Sequence, residues 1–223
     1  MFLGLSVMFS GCLKLQTDFN RPTNVDTLDA HLYKTAWAYL KARAYGSATD
    51  TIFRRMYDGI IYSGIDTNEY IKPNRTFIFL SNSEITTAST GLWAKVLNGS
   101  TAGKSWKSYS AADVKNYLSY LIMLGQYSHY NLPLLDVQSA TLCPAGVYTT
   151  NPATFKFSGT YVSNPNSLLY IHVSNANTVT SQLDYPIVLN GAINITTSDL
   201  LATNGIVQVI NSGSSVVTPI LPQ

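Results

Sequence analysis

The sequence predicts an α+β fold in a single domain, and three features carry that prediction. Apolar residues at helical spacing dominate the first half of the chain. Short β-branched runs punctuated by Asn-Gly, Asn-Pro and Ser-Gly pairs dominate the second. The stretch from Ile193 to Ile210, INITTSDLLATNGIVQVI, then combines an alternating strand, a connection, an Asn204-Gly205 turn tolerant of positive φ, and a β-branched run of Ile206, Val207, Val209 and Ile210. At 223 residues the chain is long enough for one domain with a substantial core and too short to require two.

Met1 to Phe9 is apolar and leads through Ser10-Gly11 to Cys12. This resembles a bacterial lipobox with Phe9 where Leu is usual. The resemblance implies a signal peptide in residues 1–12 and a lipidated Cys12. The run is too short to span a bilayer, and a buried N-terminal strand is the competing reading. Residues 13–25 are polar, contain Pro22 and suit a tether to a domain over 26–223. Cys143 is then expected to be a small buried hydrophobe, with a Cys12–Cys143 disulfide as the alternative.

A first helix is predicted from Asp26 or Thr27, because Leu28, Leu32, Ala36, Leu40 and Ala44 recur every fourth residue and Tyr33 and Trp37 widen the stripe. Tyr45-Gly46-Ser47 ends it. A second runs from about Asp50 to Ser63 on Ile52, Phe53, Met56, Tyr57, Ile60 and Ile61, with Gly64 as its stop and Arg54 and Arg55 on a solvated flank. Pro73-Asn74 turns the chain into a strand, Thr76 to Leu80. Leu92, Trp93, Val96 and Leu97 predict a short helix that Asn98-Gly99 terminates. Ser110 and Asp113 form a capping-box-like start to another, lined by Val114, Tyr117, Leu118, Leu121 and Ile122. Strands follow at Thr154 to Phe157, Thr160 to Val162, Leu168 to Val173 and Ile187 to Leu189. Thr197-Ser198-Asp199 either caps a helical turn through Leu200-Leu201-Ala202 or forms an Asx-type loop.

Three blocks carry a family resemblance. Asp199, Leu200, Leu201, Ala202, Asn204, Gly205, Val207, Val209 and Ile210 resemble the second signature of fasciclin domains, with Gln208 and Asn211 replacing the usual His and Asp. RTFIFLSNSEI resembles the first signature through Thr76, Ser81, Asn82 and Ile85, with Ile78 and Leu80 departing from it. Leu118 to Tyr127, including Tyr120, follows the frame of the segment between the two signatures, with Leu121 for His and Leu124 for Pro. The resemblance implies a β-wedge or sandwich-like sheet with helices packed around it. Thr76, Asn82, Tyr120, Asn204 and Gly205 would be its structural motif positions. Asp199-Leu200-Leu201 would be a candidate adhesion segment, although core packing accounts equally well for the two leucines.

Lys+Arg 14 against Asp+Glu 12, with 12% of residues charged and no basic stripe, argues against nucleic acid. His31, His129 and His172 stand apart in sequence, without HExxH, CxxC or GxSxG patterns, so no metal or cofactor is expected and each histidine reads as structural. NGSTAGKS, Asn98 to Ser105, differs from a Walker A loop at its first position; it lacks the strand before and helix after that phosphate binding needs, and reads as a surface loop. Asn74, Asn98 and Asn194 head glycosylation acceptors that matter only in a eukaryotic secreted chain. The expectation is a non-catalytic, lipid-anchored envelope protein at the outer membrane or cell surface of a bacterium, displaying its domain to another surface protein or a glycan. The alternative is an accessory glycan-binding lipoprotein of a polysaccharide-uptake system, stacking sugars on exposed Trp106, Tyr109, Tyr127 and Tyr130. A hydrolase would require two convergent carboxylates in a cleft.

Overall fold

The computed structural model describes residues 29–174, 185–213 and 216–220. Cys12, residues 13–25 and the expected helix start at Asp26 lie outside them. The first helix, α1 (Ala36–Tyr45), begins a full ten residues later than its apolar spacing predicts. Thr35 caps it by accepting from Ala38 N–H, and Tyr33 sits at φ 52°, which breaks any helix before that point. Ala36, Leu40 and Ala44 form the buried stripe as expected. Residues 30–32 are instead an extended strap, with Leu32 N–H donating to the Leu201 carbonyl and Leu201 N–H to that of Ala30. His31 therefore sits in a β-bridge rather than in a helix.

Helix α2 (Arg54–Ser63) ends at Gly64 in the left-handed region, φ 65°. Phe53, Met56 and Ile60 are buried, whereas Ile61 faces solvent. A 3-10 turn, Thr67–Tyr70, leads into β1 (Arg75–Leu80), of which five residues are buried. Two short helices follow, α3 (Asn82–Thr86) and α4 (Leu92–Lys95). Val96 and Leu97, expected in the second of these, lie instead in β2 (Val96–Asn98), which pairs with β3 (Thr101–Ala102) through Leu97 and Asn98, and Gly99 at φ 62° makes the turn between them. Helix α5 (Ala111–Tyr120) starts as predicted, with the Ser110 hydroxyl accepting from Asp113 N–H. It ends before Ile122, which belongs to β4 (Ile122–Met123).

The remaining strands are β5 (Val137–Ser139), β6 (Lys156–Phe157), β7 (Leu169–Val173), β8 (Ile187–Leu189), β9 (Ile193–Asn194), β10 (Thr197–Ala202) and β11 (Gly205–Ile210). The expected strand Thr160 to Val162 is a loop, tied down by the Tyr161 hydroxyl donating to the Tyr148 carbonyl at 2.7 Å. The predicted turn or loop at Thr197 to Ala202 is strand β10. Its reach toward β11 is irregular between Thr197 and Leu200, and Asp199 takes up the irregularity at φ 58°.

Among the described residues the strands form sheets in the orders β10-β11-β1-β4, β3-β2-β6 and β5-β7-β8-β9. Strands β1 and β11 run parallel in unbroken register from Arg75↔Gly205 to Leu80↔Ile210. Strand β4 pairs antiparallel on the other side of β1. All three sequence blocks thus meet in one sheet: the first as β1, the second as β10 and β11, the intermediate one as β4. The core on and around this sheet is strongly aromatic, with Phe53, Tyr70, Phe77, Phe79, Tyr117, Tyr120, Tyr148 and Phe155 almost wholly buried. This layout is the mixed α+β class that the order of elements predicts.

Candidate interaction surface

The motif residues act mainly as ties between segments. Asn204 Oδ1 accepts from Ala36 N–H at 2.9 Å, and its amide donates to the Tyr70 and Lys72 carbonyls at 3.1 Å. One buried side chain therefore fastens the β10–β11 turn to the start of α1 and to the approach to β1. Asn82 does the same for α2, accepting from Arg55 N–H at 2.8 Å and donating to the Thr51 carbonyl at 2.6 Å. This supplies a long-range cap that Phe53, at the N-cap, cannot provide. Neither Asn204 nor Gly205 adopts a positive φ, contrary to the turn chemistry expected of the pair. Gly205 is required for clearance: a Cβ there would stand 2.2 Å from the Arg75 carbonyl oxygen across the parallel ladder. Thr76 donates its hydroxyl to the Gly125 carbonyl and accepts from Tyr127 N–H, and Tyr120 donates to the Leu168 carbonyl at 2.8 Å.

Asp199 and its neighbours form a polar knot at the bulge in β10. Its backbone N–H donates to Gln208 Oε1 at 3.0 Å, while its carboxylate accepts from Gln208 Nε2 at 3.2 Å and from His129 N–H. His129 Nδ1 lies 2.7 Å from Asp199 Oδ2 and Nε2 lies 2.7 Å from the Tyr185 carbonyl. Gln208 is fully buried and also donates to the Tyr127 carbonyl. Asn211 accepts from the Ser83 hydroxyl. All three histidines meet an aspartate through Nδ1 at 2.7 Å: His31 with Asp29, His172 with Asp136, and His129 with Asp199. The Tyr33 hydroxyl, followed by the backbone and ring of His31, holds the Asp29 carboxyl down at about 2. Sequence separation hides two of the pairings; His31 and Asp29 are near neighbours whose spacing could have disclosed theirs.

Beside this knot, the segment from Leu124 to Leu135 turns large apolar side chains outward. Tyr130 is 82% exposed and Leu135 79%, with Leu124 and Leu134 also open to solvent. Leu200 is partly buried against the core, and Leu201 is half-buried with its backbone engaged by the strap at residues 30–32. Asp199-Leu200-Leu201 is thus a braced edge strand.

Two of the four proposed sugar platforms are interior. Trp106 packs against α2 so closely that a Cβ at Gly59 would meet its ring at 2.6 Å, and its indole N–H donates to the Arg55 carbonyl. Tyr109 stacks edge-on against Phe155 and donates to the Val96 carbonyl at 2.8 Å, and burial pushes its phenol up to about 12. Rings that fill the core offer no face to a ligand. Tyr127 is half-buried and Tyr130 is open. Cys143 is a buried free thiol pushed up to about 11 by burial.

No helix among the described residues is long and apolar enough to cross a membrane, and they contain no cluster of three or more metal-ligating side chains. No family model matches the chain, and no curated protein matches it. Among solved structures it is similar to a FAS1 domain pair from the insect cell adhesion molecule fasciclin I. That likeness has 14% identity and a TM-score of 0.43, and covers 73% of this chain and 45% of the other. The chain thus spans less than half the length of that structure.

Proposed function

We propose that the protein is a fasciclin-type display module of a bacterial envelope, held by a lipid on Cys12 and working by contact with another surface protein rather than by turnover. The observation that carries this reading is the union of the three sequence blocks in one braced sheet, β10-β11-β1-β4, with the open apolar segment around Tyr130 and Leu135 beside it. Large apolar side chains left open along one segment are unfavourable in water unless a partner covers them. Asp199-Leu200-Leu201 borders that surface as part of its rigid support, and its half-buried leucines contribute an edge rather than a protruding anchor.

The experiment expresses the full chain in a bacterium and follows two readouts. Incorporation of a palmitate analogue is expected in the wild type and absent in Cys12→Ala. Cell-to-cell or cell-to-surface attachment conferred by the wild type is expected to fall about tenfold in Tyr130→Ser/Leu135→Ser, since losing two exposed anchors removes interface energy of about 1.4 kcal/mol or more. Lipid labelling that persists without Cys12 removes the anchor. Attachment unchanged in the double variant removes this face as the contact.

A further inference from the structure

A groove of about 630 Å³ lies between the start of α2, the segment after α3, α4 and strand β3. The side chains that give it chemical character are Arg55, Thr86, Thr87, Ser89, Trp93 and Lys104. It adjoins a second depression of about 420 Å³, and Lys104 lines both. The lysine belongs to the NGSTAGKS stretch, which folds back as the β2–β3 hairpin. Tyr109 holds that hairpin against the core, so close that a Cβ on Gly103 would strike its hydroxyl at 2.0 Å. Lys104 N–H is pinned in turn by the Ser108 hydroxyl at 3.2 Å. The cation is exposed on a fixed backbone.

Arg55 faces it from α2. Its guanidinium carbon lies 5.8 Å from the Trp93 ring centroid, and Trp93 meets Trp106 edge-to-face at 5.9 Å. Arg55 forms an ion pair along its own helix with Asp58 at 4.0 Å, too long for a hydrogen bond, so its N–H groups stay available, and Lys104 is in no ion pair among the described residues. No Asp or Glu lines the groove. The hydroxyls add a second requirement. Thr86 donates to the Asn82 carbonyl at 2.8 Å and Thr87 to the Ser83 carbonyl at 2.6 Å, so their remaining lone pairs can only accept.

We infer that this groove binds an acidic oligosaccharide, whose carboxylate or sulfate meets Arg55 and Lys104 while its ring hydroxyls donate to Thr86 and Thr87. A simple anion supplies charge without those donors, and a neutral sugar supplies donors without charge. An arginine held on an indole is pre-organised for a planar carboxylate, and its hydration is already reduced. The proposal rests on the display reading only in that it gives the module an extracellular polymer to meet. Its lining shares no residue with the segment around Tyr130 and Leu135.

The test is isothermal titration of the purified full chain with an oligogalacturonate, a sulfated oligosaccharide, the carboxyl-reduced oligogalacturonate and inorganic phosphate. At least one of the two acidic sugars is expected to bind, and which of them binds more tightly identifies the anionic group. Binding should weaken about tenfold in Lys104→Glu and in Arg55→Gln, and fall as salt rises. The circular dichroism of both variants should match wild type, and Tyr130→Ser/Leu135→Ser should bind as wild type does. If both charge variants lose binding with altered circular dichroism, Lys104→Gln decides, since Lys104 is exposed: weaker binding with wild-type circular dichroism upholds the inference, and wild-type binding overturns it. Equal binding of the neutral sugar, full competition by phosphate, binding unchanged in Lys104→Glu, or no binding of either acidic sugar would overturn the inference. Because the titration uses soluble protein and the attachment assay uses cells, each proposal can fail without the other.

Discussion

Asn204 joins a turn, a helix start and a strand approach through a single amide; its bonds to Ala36 and Tyr70 are buried and that to Lys72 is part-buried. Replacing it with Ala leaves one backbone donor and two carbonyls without partners. Each unsatisfied buried group costs about 1–3 kcal/mol, so Asn204→Ala is expected to lose roughly 2–4 kcal/mol in urea unfolding after partial relaxation. Asn204→Asp separates the two halves of the role. It keeps an acceptor for Ala36 N–H but sets a carboxylate against the Tyr70 and Lys72 carbonyls, so it should be at least as damaging. A loss well under about 1 kcal/mol for both variants would show that water replaces the amide. The motif asparagines were legible from sequence as positions in a frame. Their work was not, because a turn-former and a long-range cap present the same letter.

Glu84 shows how one element is fixed to another. It lies buried on α3, where Oε2 accepts from Gly213 N–H at 2.8 Å and from the Ser212 hydroxyl at 3.2 Å, while Oε1 has no partner among the described residues. Burial raises its carboxyl above the ordinary range; the bonds from Gly213 and Ser212 oppose that only in part. An acid whose folded value is raised binds its proton more readily in the folded state. Its favourable contribution is therefore full below the unfolded value and is lost as pH rises through the folded one. Glu84→Gln, which cannot ionise, should flatten this decline in pH-dependent urea unfolding, gaining on wild type as pH rises from 4 toward 7 on the ordinary glutamate scale of about 4.3. A variant that tracks wild type at every pH would place the shift elsewhere. Element by element, local signals served best where local bonds decide the outcome: the Ser110 cap, the Gly64 stop and Ile187 to Leu189 stand where expected. They failed where a distant partner decides. Leu32 continues the spacing of α1 but pairs with Leu201, and Thr197-Ser198-Asp199 resembles a cap but extends because β11 offers it a ladder. Trp106 and Tyr109 resemble platforms by residue type alone, which does not reveal that their rings point into the core.

At the scale of the molecule, the parallel pairing of β1 with β11 joins segments far apart in sequence. Both strands are interior to their sheet, flanked by β4 and β10, and nearly every residue in them is buried. The strap at residues 30–32 covers part of β10, and α1 is fastened to the same turn by Asn204. Among the described residues the other four-stranded sheet ends at β5 and β9, each short. Amide exchange follows this division, because a hydrogen bond exchanges through the least costly opening that exposes it. Edge strands open locally, whereas β1 and β11 cannot separate without undoing contacts across the whole domain. Hydrogen–deuterium exchange read by mass spectrometry should therefore find the peptides over 75–80 and 205–210 protected longest, with 137–139 and 193–194 exchanging earlier by about tenfold or more, equivalent to about 1.4 kcal/mol in opening energy. Closing so distant a pair is also slow, so protection at 205–210 should appear late in refolding and together with that at 75–80. Protection of 205–210 that forms before 75–80, or edge strands as resistant as β11, would mean that the sheet does not organise the domain through this pairing.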